Sequence, residues 1–165
     1  MGERELRAGK TKTGRTVSRS AEYWNTTPLG DLSREEWEML CDGCGKCCLH
    51  KLQDEDTEEV FYTRVACELL DLKGGSCRDY QRRFERVPDC MDVSTMTSDQ
   101  MKWLPASCAY RLRSEHKELP LWHPLITGHI SSVQKDPRGI RGKVISETKV
   151  KPEDLEEYII RWIDA

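Results

Sequence analysis

The chain has 165 residues and a formal net charge of −3, with 37 % hydrophobic, 33 % charged and 7 % aromatic residues. This length suits one domain, and so modest an apolar fraction predicts a small core that needs further stabilisation. No apolar run is long enough for a membrane span, and no signal-peptide pattern is visible, so a soluble, cytoplasmic protein is expected. In a reducing compartment, the eight cysteines favour metal ligation or thiol chemistry over a disulfide framework.

Residues 1–22 form a basic segment with few apolar residues. Positions 1–20 contain six Lys or Arg and two Glu, which gives this end a charge of +4 and leaves −7 for the remainder. Such a composition predicts a disordered, solvated tail rather than a nucleic-acid-binding arm. The acidic remainder also argues against nucleic acid as a partner. The sequence therefore predicts a tail over 1–22 and a cysteine-cluster domain over 23–165.

Ordered structure is expected from about Trp24 onwards. In SREEWEML, Ser33 and Glu36 form a capping-box pattern, which predicts a short helix that leads into Cys41. The acidic stretch DEDTEE is predicted to be a solvated edge, although it could bind a hard cation. VFYTRVAC is rich in β-branched and aromatic residues and predicts a strand that ends at Cys67.

The second half of the chain contains more short elements. Gly74 and Gly75 mark a turn. SDQMKWLP and PASCAYRLRSEHK predict two short helices separated at Pro105, with Cys108 in the first turn of the second. GKVISETKV predicts a late strand. A C-terminal amphipathic helix is indicated by apolar residues at helical spacing, namely Leu155, Tyr158, Ile159 and Trp162.

The stretch CDGCGKCC places four cysteines within eight positions, at 41, 44, 47 and 48. Thiolates around one tetrahedral metal lie roughly 3.7 Å apart, and each pair would repel by about 4 kcal/mol at an effective dielectric near 20. So dense a group of thiols needs a cation or protons. Gly43 and Gly45 allow the tight turns that let these thiols converge, and the loop amides can then donate to sulfur. Cys-x-x-Cys-x-x-Cys is thus a strong metal-binding signal, and it is also the first part of a ferredoxin pattern.

The remaining cysteines leave several ligand sets open. The ferredoxin pattern is incomplete, because Cys48 follows Cys47 directly, and adjacent cysteines rarely bind one ion. One of the two is therefore expected to serve another site or to pack. Cysteines 67, 77, 90 and 108 are too far apart in sequence to form a site alone, yet they could fold back onto the loop, and eight thiols permit two four-ligand sites. For Cys108, a buried small hydrophobe and a ligand are equally good interpretations.

Three segments resemble a known family: LCDGCGKCCLHKLQDEDTEEVFYTRVAC, CRDYQRRFERVPDC and WLPASCAYRL followed by LPLWHPLITG. They closely resemble bacterial YcgN-like proteins, a branch of the YkgJ-type CxxCxxCC cysteine-cluster family, whose members are described as zinc- or iron-chelating domains. The resemblance runs from about Trp24 to Gly128. It implies a metal centre built from seven cysteines, Cys41, Cys44, Cys47, Cys48, Cys67, Cys77 and Cys90.

The wider family pattern also includes a tyrosine and an arginine, matched here by Tyr80 and Arg83. Phe84 stands where that pattern usually has proline. The wider family includes a flagellin lysine methylase. This chain contains no glycine-rich nucleotide loop after a strand, which argues against a self-contained methyltransferase, although a protein partner could supply one.

Two histidines are further candidates. His50 lies two residues beyond Cys48 and could complete a mixed Cys/His zinc site, although a surface or supporting histidine is the simpler interpretation. His123, between Trp122 and Pro124, is the better functional candidate, yet a hydrogen-bonded structural histidine is equally consistent with the sequence. No catalytic residue can be identified from spacing alone.

The predicted fold is therefore a small α+β single domain, with short helices and a few strands organised around a cysteine-rich metal centre. Two functions are consistent with the sequence. One is a metal-binding module that holds iron, an iron–sulfur cluster or zinc, with iron or iron–sulfur slightly favoured by the tandem Cys-x-x-Cys steps and the number of thiols. The other is a redox or protein-modifying enzyme, or a subunit of one, that uses the cluster while Cys48 or His123 stays free to react.

Overall fold

A computed structural model describes residues 22–129, 133, 137 and 139–164. The predicted basic tail lies outside the described residues, apart from Glu22. The described helices are short: α1 is Tyr23–Thr26, α2 is Arg34–Leu40, α3 is Arg83–Arg86, α4 is Ala109–Ser114 and α5 is Pro124–Thr127. Three strands, β1 (Leu49–Gln53), β2 (Val60–Ala66) and β3 (Ile145–Ser146), form one sheet. The predicted α+β class is confirmed.

Short 3-10 helices connect many of these elements. Their bounds are Leu29–Asp31, Lys46–Cys48, Tyr80–Arg82, Val93–Thr95, Gln100–Trp103, Glu147–Lys149 and Pro152–Tyr158. Among the described residues, none of the helices has the length and apolar character that a bilayer crossing requires.

The capping box predicted for α2 is present. The Glu36 amide donates to Ser33 Oγ at 3.2 Å, and the Ser33 amide donates to Glu36 Oε2 at 2.9 Å. These reciprocal bonds satisfy two of the amides that a helix start leaves free. At the other end of the helix Leu40 is fully buried, and the chain turns to extended geometry at Cys41. The cap and the buried Leu40 thus fix where the cysteine-rich loop begins.

The sheet has the order β1-β2-β3, with β1 antiparallel and β3 parallel to β2. Leu49 pairs with Ala66 across β1 and β2. One residue further out, the Cys67 amide donates to the Cys48 carbonyl at 2.9 Å. The predicted strand is confirmed, although it ends at Ala66 rather than at Cys67. Its pairing places Cys67 beside the last cysteine of the loop.

Buried apolar residues form two clusters. The first cluster lies around α2 and α4 and contains Leu40, Met101, Leu104, Ala109, Tyr110 and Leu119. The second cluster lies on the sheet and contains Leu49, Tyr62, Ala66, Leu70, Ile140 and Ile163. The cysteine-rich loop follows Leu40 of the first cluster and leads into Leu49 of the second, so it runs between the two.

Several elements differ in detail from the sequence prediction. The helix expected in SDQMKWLP is a 3-10 helix, and Cys108 is the N-cap of α4 rather than a residue of its first turn. The late strand has only two residues before the chain enters a 3-10 helix. The C-terminal helix is also 3-10 and ends at Tyr158, because the next residues bond to β2: Ile159 forms a bridge with Thr63, and the Ile160 amide donates to the Tyr62 carbonyl.

Candidate metal centre

Two glycines shape the loop from Cys41 to Cys48. Gly43 and Gly45 have φ of 74° and 73°, in the left-handed region that favours glycine. At Gly45 there is also no room for a side chain, since a Cβ would lie 2.8 Å from Ile140 Cδ1 and 2.9 Å from the Gly75 carbonyl oxygen. The loop therefore packs directly on the turn at Gly75. The predicted tight turns are confirmed, and the second of them brings the loop against the segment that carries Cys77.

Backbone amides oppose a rise in the pKa of several thiols. The amides of Gly43 and Lys46 act in this way on Cys41 and Cys44, although desolvation of the two sulfurs outweighs them. Desolvation likewise outweighs the amides of Arg111 and Tyr110 at Cys108 and that of Leu69 at Cys67. Nearby amides favour the charged form of sulfur, as they do around metal-bound thiolates. The net result is a raised pKa for all four thiols.

The thiols of the loop are close enough to oppose one another's ionisation. Cys41 is an exposed residue, yet the protein atoms around its thiol limit hydration there and raise its pKa, and the charges of Asp42 and Cys47 raise it further. Burial likewise raises the pKa of Cys44 well above its ordinary value, again with Asp42 and Cys47 adding to the effect. A cation among these sulfurs would stabilise the thiolates and so lower the pKa of both cysteines.

The adjacent thiols of Cys47 and Cys48 titrate as a pair. Their interaction lowers the pKa of Cys47 to about 7 and raises that of Cys48. Lys51 lies nearby and donates to the carbonyls of Cys47 and Leu49 at 2.9 and 2.8 Å. Its ammonium group also lowers the pKa of Cys47. The end of the loop thus combines one readily ionised thiol with one positive charge.

The later cysteines gather around Cys48. The charges of Cys67 and Cys90 raise the pKa of Cys48, after the larger effects of Cys47 and of burial. Burial raises the pKa of Cys90, Arg83 opposes this shift, and the charges of Cys47, Cys67 and Cys77 add to it. Cys77 is placed by its antiparallel bridge with Leu70. The fold thus places Cys67 beside Cys48, and Cys90 close enough for the charges of Cys47, Cys67 and Cys77 to act on it.

Asp42 is a site residue that the sequence analysis did not identify. Its side chain is only 6 % exposed, and its Oδ1 accepts from the Cys44 amide at 2.9 Å. Its Oδ2 is buried without a hydrogen-bond partner among the described residues. A buried carboxylate oxygen in that position is costly unless a cation or donor meets it. The signal that could have revealed Asp42 is its place between the first two loop cysteines.

His123 is a structural histidine. It is fully buried, its Nε2 donates to the Leu40 carbonyl at 2.9 Å, and its Nδ1 accepts from the Leu125 amide at 3.1 Å. Burial lowers its pKa, so the ring is neutral near pH 7. With both nitrogens bonded, His123 fixes the residue before Cys41 instead of offering a free base.

His50 contacts a glutamate, and the acidic stretch of residues 54–59 is exposed to solvent. His50 Nε2 lies 2.7 Å from Glu147 Oε2, while Glu147 Oε1 accepts from the amide of Glu68, next to Cys67. His50 therefore ties the sheet to the segment after β3, which matches the interpretation of a supporting histidine. All residues of DEDTEE, 54–59, are exposed, as predicted for a solvated edge.

Tyr80 and Arg83, which match the wider family pattern, contact each other. The Arg83 guanidinium lies 3.8 Å from the centre of the Tyr80 ring and 4.2 Å from that of Phe84. The Tyr80 hydroxyl donates to Glu38 Oε2 at 2.9 Å. Burial raises the pKa of Cys90, and Arg83 partly offsets this rise. The rings of Tyr80 and Phe84 thus hold a positive charge near the Cys90 thiol.

Comparison with known proteins agrees with this picture. Residues 40–109 match the model of the CxxCxxCC family, described as a "putative zinc- or iron-chelating domain". A UPF0260 protein of Pseudomonas putida is 47 % identical over 144 residues, which cover 87 % of this chain and 96 % of the relative. The chain belongs to the UPF0260 family.

Other members of the family are similarly close. A UPF0260 protein of Granulibacter bethesdensis is 48 % identical over 140 residues, 85 % of this chain and 83 % of the relative. One from Shewanella pealeana is 47 % identical over 140 residues, 85 % of this chain and 94 % of the relative. No solved structure shows a significant match.

The donor chemistry of the chain fits the zinc or iron that the family description names. All eight cysteines are free thiols, the soft ligands that select zinc and iron–sulfur clusters, and the buried Asp42 Oδ2 has no partner among the described residues. Among residues 22–129, 133, 137 and 139–164, however, no three Cys, His, Asp or Glu side chains are already arranged to hold a metal ion. Metal binding would therefore have to draw the sulfurs closer together.

Proposed function

We propose that this UPF0260 chain is a metal-binding module that holds its metal through cysteine thiolates. The observation that supports it most directly is the cysteine-rich loop itself, which packs on the turn at Gly75, has its Cys48 carbonyl bonded to the Cys67 amide and carries thiols that raise one another's pKa. The proposed ligands are those that the sequence analysis names, Cys41, Cys44, Cys47, Cys48, Cys67, Cys77 and Cys90. A metal that joins them would link segments distant in sequence and so stabilise a domain with a small core.

We propose iron, as an ion or in an iron–sulfur cluster, ahead of zinc. The number of thiols and the tandem Cys-x-x-Cys steps favour it, since iron–sulfur clusters are held by cysteine thiolates at such spacings. The two metals differ in colour. Protein purified without oxygen should be brown if it carries an iron–sulfur cluster, and colourless with stoichiometric zinc if it carries zinc.

The test is the metal content of protein expressed and purified without oxygen. We expect metal in the wild-type chain and the loss of at least one equivalent in Cys44→Ser, because a serine hydroxyl replaces a thiolate ligand poorly. Ser76→Ala is the matched control, since this exposed residue lies next to Cys77 and removes a hydroxyl without touching a thiol. A Cys44→Ser chain that keeps its full metal content and melting temperature would contradict the proposal.

Three narrower assignments also remain proposals. The motif LPLWHPLITG supports placing the chain in the YcgN-like branch. A cytoplasmic location is supported by eight cysteines that are all free thiols, since such thiols persist in a reducing compartment. A protein partner and the enzyme alternative stay predictions that no observation favours.

A further inference from the structure

We propose that a small cavity at Lys46 is a binding site for a short-chain organic monocarboxylate, whose carboxylate group pairs with the Lys46 ammonium group. The cavity has a volume of about 80 Å³, and its walls come from the cysteine-rich loop, the segment before α4, the segment before α5 and the C-terminal segment. None of the described residues that line it is a cysteine. The inference therefore goes beyond the proposed metal-binding function and does not depend on it.

Lys46 is a buried lysine that lacks a partner for its positive charge. The residue is only 7 % exposed, although lysine is almost never buried to this extent unless it is paired. Within the described parts of the chain, its ammonium group makes neither an ion pair nor a hydrogen bond. A charge removed from water in this way is costly, and an anion in the adjoining cavity would offset that cost.

The loop backbone holds Lys46 at the wall of the cavity. Lys46 begins a 3-10 helix whose N-cap residue, Gly45, has a φ of 73°. A Cβ at Gly45 would lie 2.8 Å from Ile140 Cδ1, and the residue before Ile140 is Gly139, which lines the cavity. The close packing at Gly45 thus keeps Lys46 beside this wall.

Two other walls are also held by the fold. The Ala106 amide donates to the Asp164 carbonyl at 2.9 Å, which joins the segment before α4 to the C-terminal segment. Trp122 precedes His123, whose ring nitrogens both form hydrogen bonds. A cavity that is already formed can bind a small ligand without the cost of ordering its walls.

The lining residues fit a monocarboxylate better than a phosphate. Trp122 and Trp162 offer ring surface to an apolar chain, and Ser107 offers a hydroxyl group. Lys46 supplies one point charge, whereas a phosphate is best matched by several charge-assisted donors. Asp164 lines the same cavity, and its carboxylate would repel a dianion more strongly than a monoanion.

The volume of the cavity limits the ligand to a short chain. A water molecule needs about 10–15 Å³ of such a cavity. The space of about 80 Å³ therefore admits roughly five to eight non-hydrogen atoms, a range that includes butyrate. A ligand of this size is expected to bind in the millimolar range.

The test is thermal unfolding of the full chain, purified with its metal, over a series of butyrate concentrations at constant ionic strength. Because a ligand that binds only the folded protein stabilises it, about 50 mM butyrate should raise the melting temperature by several degrees relative to sodium chloride. Butyramide, which has the same shape and no charge, should raise it much less, and so should inorganic phosphate.

Lys46→Met removes the charge and keeps a long, unbranched side chain. We expect this variant to bind butyrate at least tenfold more weakly and, without ligand, to melt no lower than the wild type, because it removes a buried, unpaired charge. Lys143→Met is the matched control. The Lys143 ammonium group lies 4.7 Å from the centre of the Trp162 ring, yet Lys143 is not among the described residues that line the cavity, so its loss should leave the affinity for butyrate unchanged.

Ala106→Leu provides a second test, which keeps the charge of Lys46 and fills part of the cavity. It should abolish the rise in melting temperature that is specific to butyrate, and it decides the matter if Lys46→Met fails to fold or loses metal. Undiminished binding of butyrate by Ala106→Leu would overturn the assignment of the cavity.

Three results would overturn the carboxylate site: equal shifts with butyrate and butyramide, a larger shift with phosphate than with butyrate, or no shift in the wild type at about 50 mM butyrate, well above the millimolar range. None of them bears on the metal content of the wild type. The metal-binding function would therefore stand even if the carboxylate site were refuted.

Discussion

Substituting alanine for Gly45 tests whether the loop must pack against the turn that carries Cys77. Both Gly43 and Gly45 have left-handed backbone angles, φ 74° and 73°. An added Cβ at Gly43 would meet nothing within 4 Å, whereas at Gly45 it would lie 2.9 Å from the Gly75 carbonyl oxygen. Gly43→Ala therefore measures the backbone penalty alone, and Gly45→Ala adds the steric conflict.

The expected magnitudes follow from these contacts. Left-handed geometry costs an L-residue about 1–2 kcal/mol, which both variants share. Forcing a methyl group into packed surroundings costs about 1–3 kcal/mol more, and only Gly45→Ala incurs it, because a backbone carbonyl cannot move aside as a side-chain end can. At about 2–4 °C per kcal/mol for a chain of this size, Gly45→Ala should melt roughly 2–12 °C below Gly43→Ala.

The assay is thermal unfolding followed by circular dichroism, with and without bound metal. Gly45→Ala should also bind metal more weakly than Gly43→Ala, because displacing the loop separates it from Cys77. Equal melting temperatures for the two variants would refute the close packing of loop and turn.

Two further predictions concern the elements that position the loop. Ser33→Ala should lower the stability by about 1 kcal/mol, because it removes the cap of α2; Glu36→Gln, which keeps an acceptor for the reciprocal bond, is its control, and equal urea midpoints for the two variants would contradict this role of the cap. Burial lowers the pKa of His123 in the folded protein. As the pH falls, this ring is therefore protonated in the unfolded chain before it is protonated in the folded chain. The stability that the neutral ring contributes is present above about pH 6.5 and is lost as the pH falls below that value. Between pH 7 and pH 5 the metal-free wild type should therefore lose more stability than His123→Gln, and parallel pH profiles would show that the ring does not titrate this way.

The sequence correctly predicted those helices and strands that depend on residues close together in the chain. The capping box of Ser33 and Glu36 needs only residues three apart, and it is present. The strand β2, which ends just before Cys67, was evident from its β-branched and aromatic residues. The strand β1, LHKLQ, was missed because polar residues occupy much of it and its pairing with β2 decides its conformation.

The C-terminal segment shows how tertiary contacts override helical spacing. Its apolar residues recur as in an α-helix, yet the structure has a 3-10 helix over Pro152–Tyr158. The backbone at Ile159 and Ile160 bonds to β2, which prevents those residues from continuing a helix. Only the folded sheet supplies those partners, so spacing could not reveal them.

The candidate site was predictable in its loop and less so in its surroundings. The glycines between the loop cysteines predicted the turns at Gly43 and Gly45, which the positive φ angles confirm. The grouping of the later cysteines depends on strand register and on the hairpin at Cys77, which spacing does not encode. Asp42 was overlooked because its significance comes from a buried, unpartnered oxygen, a property of the fold rather than of the residue type.

X-ray absorption at the edge of the bound metal, on the full chain purified without oxygen, tests the central claim most directly. If cysteine thiolates hold the metal, the first shell should contain about four sulfur atoms per metal, near 2.3 Å for zinc. The edge intensity per chain should fall in Cys44→Ser, where metal is lost, and stay unchanged in Ser76→Ala. A first shell of oxygen and nitrogen alone, or a chain that carries no metal, would contradict the account.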